Sequence, residues 1–222
     1  MEFYNEENNA IQEKNTDMVK TFNRMFLGLI VTAIVAYFTF TSGLILTIPY
    51  MLIAIVEIVV VLIFSFAFKK LSSTAVTILY FVYAVLNGLT MSTIFAVFDM
   101  ADISTAFLIS AFLFGALAIY GHTTDRDITK LGNIFMVGLI IGIIMSLINL
   151  FIGNSMINII LDWVMLLLFC GITAYDIQKM KILAVDIPDK EKLYVYFAMQ
   201  LYLDFINIFI RILSIMARRS RR

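Results

Sequence analysis

Seven apolar stretches, each close to twenty residues long and joined by short polar segments, leave this chain of 222 residues few ways to fold. A bilayer core about 30 Å thick is crossed by roughly 20 apolar residues in helix, and helices or closed barrels are the only spanning solutions. Runs of this length favour helices, and the spacing predicts spans at about 22 to 43, 46 to 68, 74 to 98, 104 to 122, 132 to 153, 156 to 178 and 193 to 216. Hydrophobic residues make up 62% of the chain and charged residues 14%, which excludes a soluble core. The fold class expected is an all-α integral membrane protein with seven transmembrane helices.

Turn residues mark the joints: Ser42 and Gly43 before Pro49, Lys69 to Ser73, Asp99 to Asp102, Gly121 to Lys130, Gly153 to Ser155, and the longer stretch Gln178 to Lys192. The chain reads as a polar N-terminal segment (1–21), a seven-helix transmembrane domain (22–217) and a basic tail (218–222). Spans one to three and four to six can be grouped as two three-helix units around a final helix, although the residues show no strong repeat. The acidic, polar start lacks the basic residues, short apolar region and cleavage site of a secretory signal, so the first apolar segment is expected to be retained.

Basic residues set the orientation. Lys14, Lys20 and Arg24, then Lys69 and Lys70, then Arg126 and Lys130, then Lys179, Lys181, Lys190 and Lys192 fall on one side if seven helices alternate. That side is expected to be the cytoplasm, with the N-terminus in it. Arg218, Arg219, Arg221 and Arg222 oppose the rule, and the last segment is read as crossing because the earlier charges outnumber the tail. Formal net charge is zero, and nucleic acid is not an expected partner. Cys170 stands alone in an apolar run, which rules out a disulfide framework and a cysteine-based metal site.

An ionisable residue inside a bilayer is costly and points to a functional site with a partner. Asp176, in FCGITAYDIQKM, and Asp204, in QLYLDFINIFI, flank a candidate hairpin turning at Asp186 to Asp189, where Pro188 helps to stop the helix. Counted from Ile187, Asp176 lies 11 residues before the turn and Asp204 17 after it. Straight helices would then leave an axial mismatch of about 9 Å, to be absorbed by tilt, a kink or a different turn. Two carboxylates that meet in a low dielectric cannot comfortably both ionise, so they should share a proton and sense pH. Glu57, near the middle of the second span, needs a partner too. Arg211, seven residues after Asp204 and on roughly the same helix face, is expected to pair with it.

Asn87, Thr90, Ser92, Thr93, Asn149, Tyr175, Gln200, Tyr202 and Asn207 read mainly as hydrogen-bond glue between helices, with Asn207 three residues from Asp204. Gly138 to Gly142 fits close helix packing, and the thirteen methionines read as core. His122 is the only histidine, so a multi-histidine zinc site is excluded, and no Gly-x-Ser-x-Gly elbow accompanies it. The chain is not expected to be an enzyme or to hold a cofactor. Three buried carboxylates are too few for a calcium cage of six to eight oxygens, so Glu57, Asp176 and Asp204 would touch Ca²⁺ only in passing.

The segments AYDIQKMK around Asp176 and LYLDFINIFIRIL around Asp204, the acidic Glu57 in the second span and the seven-span count together resemble the Bax inhibitor-1 family, especially its bacterial members. The resemblance implies two three-helix layers around a central C-terminal helix and a pH-sensitive calcium leak. It assigns the pH sensor to Asp176 and Asp204, and links Glu57 to the pore and to an arginine on the last helix. That arginine is Arg211 here, about one turn before the family's position, which Ser214 holds. Tyr175, Tyr202 and Asn207 stand as supporting residues. Unaided, the spans and acids point to an ion or proton pathway. A calcium leak, with lipid and calcium ions as partners in a bacterial plasma membrane, is what the resemblance adds. A proton-coupled transporter and a non-conducting regulatory scaffold are the alternatives.

Overall fold

The computed structural model describes residues 2–68, 70–183 and 189–220, and the side chains of 16–68, 70–183 and 189–218. Among them the secondary structure is helical throughout: α1 (Glu2–Thr41), α2 (Tyr50–Ala67), α3 (Ser73–Val97), α4 (Met100–Thr123), α5 (Gly132–Ile152), α6 (Ser155–Leu183) and α7 (Lys190–Ser220), with short 3₁₀ turns at Leu44–Leu46 and Ile128–Leu131. All seven helices contain a stretch long and apolar enough to cross a membrane. The shortest, α2, has 18 residues, about 27 Å of rise. α6 runs on to Leu183, past the expected 178.

Each helix ends where its sequence stops satisfying the helical ladder. Ser72 caps α3 by accepting the Ala75 amide at 3.2 Å. Gly153 closes α5 at φ 69°, a left-handed position that favours glycine. Asn154 then accepts the Met156 amide at 2.9 Å to open α6, while Asn149 donates to the Asn154 carbonyl and to Asn158. Asp189 accepts the Lys192 amide at 3.1 Å and so starts α7. The rest of the expected turn, residues 186–188 with Pro188, lies outside the described residues.

The chain divides into two compact units. The first holds α1, α2, α3 and α7 up to Tyr202, and the second holds α4, α5, α6 to Ile182 and α7 from Leu203. Within its membrane-length stretch α7 is 72% buried, against 39% or less for the other six, whose exposed apolar faces suit lipid. In the first unit, polar contacts fix the start of α7. Asp17 of α1 is buried and accepts from Lys190 at 3.0 Å and from the Tyr194 hydroxyl at 2.7 Å, and Arg24 pairs with Glu191 at 2.8 Å. In the second unit, Phe107 and Phe114 of α4 meet Phe205 edge-on at 5.5 and 5.7 Å, and Phe107 also meets Phe209.

The loop after α4 is tied to α6. Gln178 donates to the Arg126 carbonyl at 2.8 Å and accepts the Ile128 amide at 2.9 Å, while Lys181 donates to the His122 carbonyl at 3.1 Å. Gly121 faces the same helix so closely that a Cβ there would stand 2.4 Å from the Ala174 carbonyl oxygen. These contacts hold the segment of α6 around Asp176 from one side.

Candidate functional site

Asp176 and Asp204 belong to the second unit and are both buried. Asp176 lies seven residues before the end of α6 at Leu183, and Asp204 fourteen after the start of α7 at Lys190. Level helix ends would put the two out of step by about 10 Å. Six residues, 184–189, separate the helices. They can reach about 20 Å, so α7 need not start level with the end of α6. The Asp176 carboxylate is accordingly an electrostatic neighbour of Asp204. Lys179, one turn along α6 from Asp176, adds a positive charge to the surroundings.

Donors at this pair are scarce. The Thr173 hydroxyl lies within hydrogen-bonding reach of Asp204, yet it also bonds the Phe169 carbonyl at 2.8 Å, and one hydroxyl proton cannot serve both. Oδ2 of Asp204 is buried and meets no donor. A carboxylate oxygen stripped of water and given no donor is costly. Protonation within the pair is the cheapest remedy available to it.

Arg211 and Glu57, which the sequence suggests as a pair, each have a partner inside their own unit. Glu57 is half-buried on α2 and accepts from the Thr90 hydroxyl of α3 at 2.9 Å. Arg211 donates from Nη1 to Asp162 of α6 at 2.9 Å. The physical reason is reach: α6 sets a buried carboxylate beside the long arginine side chain. Asp162 is thus a further buried carboxylate, besides Asp17, that the reading of the sequence passed over. Its signal was there: it stands fourteen residues before Asp176, close to four helical turns, and therefore on nearly the same face.

The supporting residues divide. Tyr202 lies in the first unit, where its hydroxyl meets Thr32 at 2.6 Å and donates to Asn87 at 3.0 Å, with Tyr80 and Tyr83 edge-on at 5.9 Å. Tyr175 lies against Phe135, and Lys179 sits over its ring. The Asn207 amide bonds the Leu203 carbonyl of its own helix at 2.8 Å. Ser92 meets Tyr50, and Thr93 bonds back to Thr90. No group of three or more histidine, cysteine or acidic side chains is gathered for a metal among the described residues.

Comparison with known proteins places the chain in a family. The Bax1-I family profile, Inhibitor of apoptosis-promoting Bax1, matches residues 14–221. The inner membrane protein YbhL of Escherichia coli K12 is 34% identical over 215 residues, covering 92% of each chain. An uncharacterized protein of Borreliella burgdorferi is 34% identical over 224 residues, covering 96% of this chain and 97% of its own. One of Deinococcus radiodurans is 32% identical over 212 residues, covering 93% and 92%. The chain is an integral membrane protein of the Bax inhibitor-1 family.

Proposed function

We propose that this protein is a passive, proton-regulated calcium pathway of a bacterial plasma membrane, with its N-terminus in the cytoplasm. Asp176 and Asp204 are its pH sensor, and Ca²⁺ is cargo rather than a resident cofactor. The observation that carries the reading is the buried Asp204 Oδ2 without a donor, beside a second buried carboxylate. Family membership, with the leak that the resemblance implies, supplies the ion.

With one proton between them the two acids form a charge-assisted hydrogen bond and tie α6 to α7. Adding a second proton leaves only a neutral, weaker hydrogen bond, and removing the shared proton abolishes it. Losing the proton leaves two like charges, which repel by about 3 kcal/mol if about 5 Å apart at an effective dielectric of about 20. The leak is therefore lowest where the pair holds one proton. Glu57, which accepts from the Thr90 hydroxyl, offers an acidic group to a passing cation. Such a pathway needs no catalytic residue.

Asp204→Asn keeps the size and a hydrogen-bonding group but cannot titrate. In proteoliposomes the wild type is expected to show Ca²⁺ flux that varies with pH, and the variant a flux that does not. Unaltered pH dependence in the variant would remove Asp204 from the sensor. Uphill movement of a substrate driven by a pH gradient would point to a coupled transporter, and absence of flux at every pH to a scaffold.

A further inference from the structure

A buried carboxylate that the pathway reading leaves unused is Asp162, and α7 surrounds it with donors. Its Oδ1 accepts from Arg211 Nη1 at 2.9 Å, and its Oδ2 from Ser214 Oγ at 2.7 Å and Arg218 Nη2 at 2.6 Å. Arg218 Nη2 also donates to Ser214 Oγ at 3.2 Å. Residues 211, 214 and 218 share one face of α7, and Asp204 lies on that face two turns before Arg211. Fourteen residues separate Asp162 from Asp176 on α6, and fourteen separate Asp204 from Arg218 on α7. Both intervals are about 21 Å, so the second unit carries two matched carboxylate stations on the same two helices.

The two stations differ in charge. The Asp176 and Asp204 station is acidic, whereas two guanidiniums against one carboxylate leave the Asp162 station with a net positive charge. Donors exceed acceptors there, since Nε of Arg211 is buried with no acceptor. The arginine side chains remain 24% and 36% exposed, enough for them to swing away from Asp162 without dragging α7.

We propose that Asp162 is a cation-admitting carboxylate of the pathway, and that Arg211 and Arg218 are tethered cations that occupy it and keep Ca²⁺ out when the pathway is closed. This rests on the calcium-pathway reading. Removing one guanidinium takes away a unit charge. At about 6 Å in a watery pathway, that charge alters the Boltzmann weight of a divalent cation about tenfold.

The test is Ca²⁺ flux into proteoliposomes for wild type, Arg211→Gln, Arg218→Gln, Ser214→Ala and Asp162→Asn, each first checked for a cooperative melt in detergent. At the pH of lowest wild-type leak, each arginine variant is expected to raise flux about tenfold. Ser214→Ala changes no charge and only loosens Arg218, so a smaller rise is expected. At a pH where the wild type conducts, Asp162→Asn is expected to reduce flux, because both positive charges then stand uncompensated. Folded arginine variants with wild-type or lower flux would overturn the seal while leaving the pathway. If either arginine variant fails to fold, Ser214→Ala decides, and unchanged flux counts against the seal. A wild type with no flux at any pH would defeat the pathway reading itself.

Discussion

At the scale of single residues, this chain treats its carboxylates differently according to the donors around them. Asp162 and Asp17 each receive more than one donor, two of them on Asp162 being guanidiniums, whereas Asp204 keeps one oxygen with none. Outside the spans, Asp127 is exposed and accepts from the Thr129 hydroxyl, with Lys130 at 3.3 Å. The Thr129 hydroxyl first, and Lys130 second, hold its carboxyl below the usual carboxylate range. Because the folded value is depressed, its contribution to the turn is present above the unfolded value and is lost as pH falls through the folded one. Amide exchange at Thr129, corrected for the intrinsic pH effect, is expected to speed up across that acidic window. In Asp127→Ala protection should be low throughout, and a pH-independent difference between the two chains would contradict the assignment.

At the scale of elements, the helices follow from the apolar runs, and the paired contacts between them are what periodicity alone cannot supply. The seven spans were legible because lipid forces every backbone group into a helix of about twenty residues. The Asp176 and Asp204 neighbourhood was legible as a hairpin, but its register depends on six linking residues with more reach than the turn counted from Ile187. The Asp162 partner of Arg211 was not legible, because helix phase says which face a side chain occupies and not which neighbouring helix supplies its partner. Asp162, only seven residues into α6, went unweighed in the sequence, although its phase with Asp176 was readable. Gly121 in α4 offers a direct test of the α4 to α6 contact. Gly121→Ala drives a Cβ to 2.4 Å from a backbone oxygen and is expected to lower the detergent melting temperature, at a cost of about 1–3 kcal/mol. Gly115→Ala, in the same helix and facing open space, is expected to be neutral or to stabilise by up to about 1 kcal/mol. Equal effects at the two sites would mean that α4 does not approach α6 as described.

At the scale of the whole molecule, α7 contributes to both compact units, and its three levels of polar contact fall in order along one helix: Asp17 with Lys190, Asp204 with Asp176, and Asp162 with Arg211 and Arg218. Seven membrane-length helices also make a topological prediction. An odd number of crossings puts the termini on opposite sides, despite the four arginines that follow residue 217. In a Cys170→Ala background, Ala10→Cys should resist an impermeant thiol reagent in right-side-out vesicles, and Arg222→Cys should react. Labelling of both would contradict seven crossings. The most direct measurement of the central claim is Ca²⁺ flux in proteoliposomes over a pH series, wild type beside Asp204→Asn and Asp176→Asn. The expected result is a pH-dependent flux in the wild type, lowest where the pair holds one proton, and a flat profile in both variants. A wild-type profile that is flat, or a pH dependence that survives both substitutions, would contradict it.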